Sequence, residues 1–223
     1  MDSILEFKNV NKSYRSKQVL VDIDFAVKRG EICGLVGANG AGKTTMMRLA
    51  LNLISPNSGV VKLNLNNRGD IGVLIDYPVL DQGLTVRQNL EAHRRLCEYD
   101  ASVVDDAINF LGINEFANKK VKQLSLGMKQ KTALAQAFMG MPEFIILDEP
   151  VNGLDPQGVR DIREKILYLN LEFGTTFLIS SHIIDELVKV VSRCALVKDG
   201  QVTFVEANTE KIEQEFFETA GVW

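Results

Sequence analysis

No run of apolar residues in this sequence approaches the ~20 that a helix needs to cross a bilayer. The densest, such as Phe144–Leu147, have the length of buried strands. Nor is there an opening segment of positive charge followed by apolar residues, as a secretion signal would have. The chain is therefore expected to be cytoplasmic, with any membrane role left to a separate partner chain. Cysteine is scarce: Cys33, Cys97 and Cys194 are odd in number, far apart and without a CxxC pair. That excludes a disulfide framework and a paired-cysteine zinc site and points to a reducing compartment. Cys33, inside the apolar run ICGLVG, reads as a small buried packing residue. A basic excess is missing too. Lys and Arg number 25 against 29 Asp and Glu, a net charge of −4, which argues against a nucleic-acid partner. Internal repeats, low-complexity tracts and linkers are absent.

What is present suits an ordinary globular protein: 223 residues, 46% hydrophobic and 24% charged. That is enough for one well-packed domain, residues 1–223, with a lobe inserted into it. The segments ILEFKNVNKSY and VLVDIDFAVKRG read as strands, and EICGLVG as a central strand buried on both faces. A helix follows over MMRLALNLI and is broken by SPNSG; IGVLID is a further strand. From about residue 81 to 140 no strand pattern is convincing. TVRQNLEAHRRLCEY, SVVDDAINFLGI and MKQKTALAQAFMG read as helices, with Val103, Val104, Ala107, Ile108 and Leu111 on one face of the second. Strands return with FIILDEP and TTFLISS, separated by the helix GVRDIREKILYLNLEF. A helix over IIDELVKVVS is expected next, then two strands, CALVK and QVTFV, about an Asp199-Gly200 hairpin turn. The acidic segment EKIEQEFFETAGVW is expected to form a terminal helix. Strand–helix alternation makes the fold α/β.

Gly37 to Thr44, GANGAGKT, fits the phosphate-binding pattern GxxxxGK[ST] without a mismatch. Glycines at 37, 40 and 42 let successive N–H groups converge on an anion. Lys43 supplies a mobile charge for β- and γ-phosphates, and Thr44 a hydroxyl for Mg²⁺. The helix that follows turns its positive end toward the phosphates. Ala38, Asn39, Ala41 and Thr45 complete the expected phosphate contacts. Phe144–Asp148 is an apolar strand ending in a carboxylate able to hold Mg²⁺, and Glu149 beside it can orient and deprotonate a water.

LSLGMKQ at 124–130, shortly before FIILDEP, resembles the signature motif of ABC ATPases, usually LSGGQ. Tyr14 ahead of the phosphate loop, GLDP at 153–156 and SSH at 180–182 complete the set in order, so the resemblance covers essentially the whole chain. It implies a P-loop NTPase, RecA-like core with an antiparallel β layer and an inserted α-helical subdomain at 81–140. It also implies roles. Tyr14 would stack on adenine. Ser125 and Gly127 would face the γ-phosphate of ATP bound by a second subunit, and Asp155 would lie across that dimer interface. His182 would contact the γ-phosphate and help hold the attacking water. His93 has no such context and reads as a surface residue.

Two departures from the family pattern stand out. Leu126 and Met128 replace a glycine and the glutamine of the signature. Asp76, in IGVLIDYP, stands where the family has a glutamine that approaches Mg²⁺ on a loop touching the membrane partner. An acid there, with LSLGMKQ, is similar to the ATPases of lantibiotic and bacitracin-type peptide-resistance transporters, which usually carry glutamate. The resemblance thus implies an ATP-hydrolysing subunit using Mg²⁺, pairing as an ATP-dependent dimer. It would lie on the inner face of the membrane through a permease. Rival readings are an ABC protein acting on DNA or the ribosome and a regulatory subunit sensing ATP without turnover. The first lacks its extended heptads or second domain here; Glu149 and His182 speak against the second.

Overall fold

The structure, a computed structural model, describes residues 2–65, 70–210 and 212. It divides into two compact units, one from residues 1–64 and 176–223 and the other from 65–175.

The first unit is built on strands. β1 (Ser3–Tyr14) pairs antiparallel with β2 (Lys17–Lys28) and with β4 (Ser58–Leu63). β3 (Ile32–Val36) is buried at every residue and lies between two parallel neighbours, β7 (Thr176–Ser180) and β8 (Arg193–Lys198). Its unbroken apolar run is what a doubly covered strand requires. β9 (Gln201–Val205) returns antiparallel to β8. The turn between them, Asp199-Gly200, has φ of 49° and 77°, the left-handed pair that matches strand twist in a two-residue hairpin. Helix α1 (Lys43–Ala50) follows β3. Phe7 and Phe25 pack edge to face at 5.8 Å in this core, and Phe25 stacks on the exposed Phe204 at 5.6 Å. Arg193 lies 3.9 Å over Phe204 and forks onto both Glu31 oxygens at 2.6 and 3.0 Å. Such a bidentate pair offsets the desolvation of its charges.

The second unit holds two parallel strands, β5 (Ile71–Leu74) and β6 (Phe144–Asp148). Between them in sequence come α2 (Val86–Leu96), α3 (Val103–Phe110), two short 3-10 turns and α4 (Leu126–Phe138). α5 (Pro156–Phe173) follows β6. Thr85 and Gln88 form a reciprocal capping box that starts α2. Of the expected face, Val104, Ala107, Ile108 and Leu111 are buried, while Val103 is only half-buried. Among the described residues no helix is long and apolar enough to cross a membrane.

Some expectations need correction. β4 was not anticipated: it pairs with β1, and Val60 is exposed, so its sequence lacks a clean alternation. The helix expected over residues 183–192 is only four residues long, α6 (Ile184–Leu187). Valines at 188, 190 and 191 are stiff, poor helix formers. Val190 and Val191 N–H both turn back onto the Leu187 carbonyl, and the Ser192 N–H is already bonded to Ile32. α4 starts at Leu126, two residues earlier than the sequence suggests, because Ser125 caps it. Most of the terminal helix expected over 210–223 lies outside the described residues.

Candidate functional site

In the first unit, β3 delivers the chain into the phosphate loop and α1 carries it away. Gly37 is required by packing: a Cβ there would collide with the backbone oxygen of Val197. Gly40 and Gly42 are required by conformation, with φ of 81° and 116°, where L side chains are strained. Ala38, Asn39 and Gly40 are exposed at the loop tip, and Ala41 N–H closes a turn on Ala38 O at 3.1 Å. Thr44 and Thr45 are half-buried in the first turn of α1, which carries no acidic side chain. An anion there meets the helix's positive end and no competing carboxylate from α1. Lys43 is only 7% exposed, and its ammonium donates to the carbonyls of Gly37 (2.6 Å) and Ala38 (3.2 Å). The charge is thus folded back into the loop it would share with a phosphate.

β3 and β7 run parallel with Leu35 opposite Ser180. His182, exposed just past β7, therefore emerges at the same carboxyl edge as the phosphate loop. That edge is where ligands bind in open α/β sheets. Tyr14 ends β1 with 42% of its surface exposed and the Lys12 ammonium 5.2 Å from its ring centre. A cavity of about 600 Å³ opens against the loop, lined among others by Lys17, Val19, Asn39, Ala41 and Lys198, a size suited to a small ligand. The Lys198 ammonium is buried and has no hydrogen-bond partner among the described residues. Sequence reasoning missed it, because a lysine before a hairpin turn looks like any solvated strand end.

In the second unit, parallel pairing of Leu74 with Leu147 brings Asp76 and Asp148–Glu149 out at one edge. Asp148 is buried at the end of β6, whereas Asp76 is exposed. Asp76 and Glu149 both adopt left-handed backbone, φ 65° and 50°, a conformation that costs a non-glycine residue and recurs at functional sites. Asp76 and Asp148 each bring a hard carboxylate donor, of the kind that fits Mg²⁺. Among the described residues no three His, Cys, Asp or Glu side chains gather as a cage. A cation held by one or two carboxylates and completed by phosphate and water suits that donor set.

Ser125 caps α4, its hydroxyl oxygen accepting from Met128 N–H at 3.3 Å. The O–H hydrogen stays available to an acceptor. Gly127 lies in the first turn of α4, where a Cβ would stand 2.8 Å from the Gly153 carbonyl oxygen. Leu126, 64% exposed, leans over Gly153 itself. Asp155 caps α5, accepting from Gly158 N–H at 2.8 Å. Gln130, also missed at the sequence level, is 5% exposed and donates to the carbonyls of Pro150 (2.8 Å) and Glu149 (3.4 Å). Its signal was a lone amide on a helix face otherwise filled by Ala133, Leu134 and Ala137. His93 is half-buried, not a surface residue. Its ring nitrogen lies 3.7 Å from the Cys97 sulfur one turn on, and burial holds the imidazole below its ordinary value.

The sequence matches the family described as "ABC transporter" over residues 20–152. It is 34% identical over 211 residues to the bacitracin transport ATP-binding protein BcrA of Bacillus licheniformis, covering 91% of this chain and 69% of that one. It is 31% identical over 220 residues to the lantibiotic transport ATP-binding protein SrtF of Streptococcus pyogenes, covering 96% of each. Among solved structures it is similar to the dimeric post-hydrolysis state of the ATP-binding cassette MJ0796 bound to ADP and Pi. The TM-score there is 0.83 at 26% identity, over 92% of this chain and 99% of that chain.

Proposed function

Because this chain belongs to the ABC transporter family as an ATP-binding, ATP-hydrolysing subunit, we propose that it powers a separate membrane permease that exports or removes antimicrobial peptides of the lantibiotic or bacitracin kind. The observation that carries the peptide assignment is the acidic residue Asp76, exposed on the loop after β5. It stands beside likeness to relatives named for bacitracin and lantibiotic transport. On the same loop, Tyr77 and Val79 expose most of their apolar surface, as a segment that docks on another protein does.

The reaction assigned to the chain is attack of water on the γ-phosphate of ATP. Tyr14 stacks on adenine, and the loop Gly37–Thr44, with Thr45, surrounds the phosphates. Lys43 exchanges its two carbonyl partners for β- and γ-phosphate oxygens, offsetting charge as it moves toward the leaving group. Thr44, Asp148 and Asp76 would hold Mg²⁺, which when bound supplies further positive charge. Glu149 accepts the proton of the attacking water, and His182 holds that water against the γ-phosphate. Ser125 and Gly127 contact the γ-phosphate bound by a second copy, with Asp155 across the interface. Closure on ATP and reopening after hydrolysis transmit motion to the permease on the inner membrane face.

The test is deletion of the chain in its own cell, followed by exposure to bacitracin and to a lantibiotic. Heightened sensitivity, restored by the wild type but not by a Lys43→Ala version, supports the proposal. Unchanged sensitivity removes the peptide assignment and leaves the ATPase, which phosphate release from the purified chain measures separately.

A further inference from the structure

Helix α4 is fastened at several points to the segment that runs from Glu149 into α5. At its first turn the backbone passes so close to Gly153 that only a glycine fits at 127. A Cβ on Gly153 would stand 2.7 and 2.8 Å from Cδ2 and Cγ of Leu126. One turn further, the buried Gln130 amide reaches the carbonyls of residues 149 and 150. Next to it, the Lys131 ammonium lies 3.7 Å from an Asp161 carboxylate oxygen on α5.

The Gln130 bonds fall where backbone energy is stored. Glu149 has φ of 50° and precedes a proline, whose ring restricts its neighbour further. The Glu149 carbonyl also accepts from Asn152 N–H at 3.2 Å, closing the turn that follows. A strained residue persists only where its surroundings over-determine it. The Gln130 carboxamide is the side chain seen to bridge the two peptide units after β6.

We propose that Gln130 is a positioning residue for hydrolysis: it fixes the backbone of Glu149, and so the aim of its carboxylate, from the helix whose first turn carries Ser125 and Gly127. The inference rests on the reading of Glu149 as the group that takes the proton from water. It adds that reading's missing connection. Engagement of a phosphate at the start of α4 is felt at Glu149 of the same chain through one turn of helix and two hydrogen bonds. Leu126, where the family has glycine, adds a side-chain contact to Gly153 and stiffens that connection.

The experiment compares Gln130→Met, Gln130→Glu and Glu149→Gln in the full chain. Methionine keeps the volume but cannot donate. Its kcat should fall on the order of ten-fold or more, as expected when a reacting group is misaimed by a fraction of an ångström. Nucleotide affinity, read by titration with ATP, should stay unchanged. The Gln130→Glu carboxylate faces two carbonyls and is slow at neutral pH. Once protonated it regains an O–H donor, so its rate relative to wild type should climb as pH falls. That recovery also decides the matter if the methionine variant does not fold. Wild-type kcat in Gln130→Met, or a flat pH ratio in Gln130→Glu, overturns the positioning role while a slow Glu149→Gln leaves the reading of Glu149 intact. Full turnover by Glu149→Gln overturns that reading and the inference with it.

Discussion

Glu149 keeps a left-handed backbone ahead of a proline, at a cost of roughly 1–3 kcal/mol. Its replacement by glutamine keeps the shape and removes the proton acceptor. The variant should bind ATP normally and lose turnover by about 10²-fold or more; single-turnover phosphate release alongside a nucleotide titration checks both halves. Lys198 makes a prediction of the opposite kind. Its buried ammonium lacks a partner among the described residues, and such an orphan costs roughly 1–3 kcal/mol. Lys198→Met should therefore melt at a higher temperature than wild type without nucleotide. It should also bind ATP more weakly, because the cavity beside the phosphate loop loses a cation. Thermal melts with and without ATP measure both, and a variant that is less stable or binds as tightly refutes the role.

Helix starts carry much of the candidate chemistry. Asp155 caps α5 within its own chain, whereas its proposed work is across an interface. The two separate cleanly. Asp155→Ala should lose about 1 kcal/mol of stability with the cap. Asp155→Ser, which still caps, should keep stability yet weaken ATP-dependent pairing; chemical denaturation and sedimentation together tell them apart. The same distinction between local and distant causes explains what could be read from the sequence. The phosphate loop was legible because Gly40 and Gly42 answer to their own φ angles, and the 199–200 turn because an Asp-Gly pair suits only a few geometries. The apolar face of α3 was legible from spacing alone. α6 fell short because Ser192 is drawn onto β3, some 160 residues earlier in the chain. Gln130 and Lys198 escaped notice because their meaning lies in carbonyls and cavities that other segments supply. His93 did so because the run around it in α2, Glu91 to Arg95, is mostly polar and gives no sign that the ring is half-buried.

For the whole molecule, the proposed unit of work is a pair. Ser125→Arg places bulk and misdirected charge at the start of α4 while leaving the phosphate loop untouched. It should bind ATP as a monomer and fail to self-associate, yet contribute one intact phosphate loop to a mixed pair with Glu149→Gln. Sedimentation of each variant alone and of the mixture, with ATP, checks this; a full complement of symmetric Ser125→Arg dimers is the outcome that refutes the paired arrangement. The first unit is assembled from the two ends of the chain, residues 1–64 and 176–223, with all of 65–175 between them. β3, which aims the phosphate loop, has its two partners in the later piece. At about 5–20 residues per second a ribosome emits the motif roughly ten to thirty seconds before the strands that hold it in shape. The nascent chain therefore carries a complete phosphate-binding sequence long before it carries a phosphate-binding site. Chains truncated before β7 should therefore fail to bind ATP, which titration of ribosome-bound truncations with labelled ATP measures.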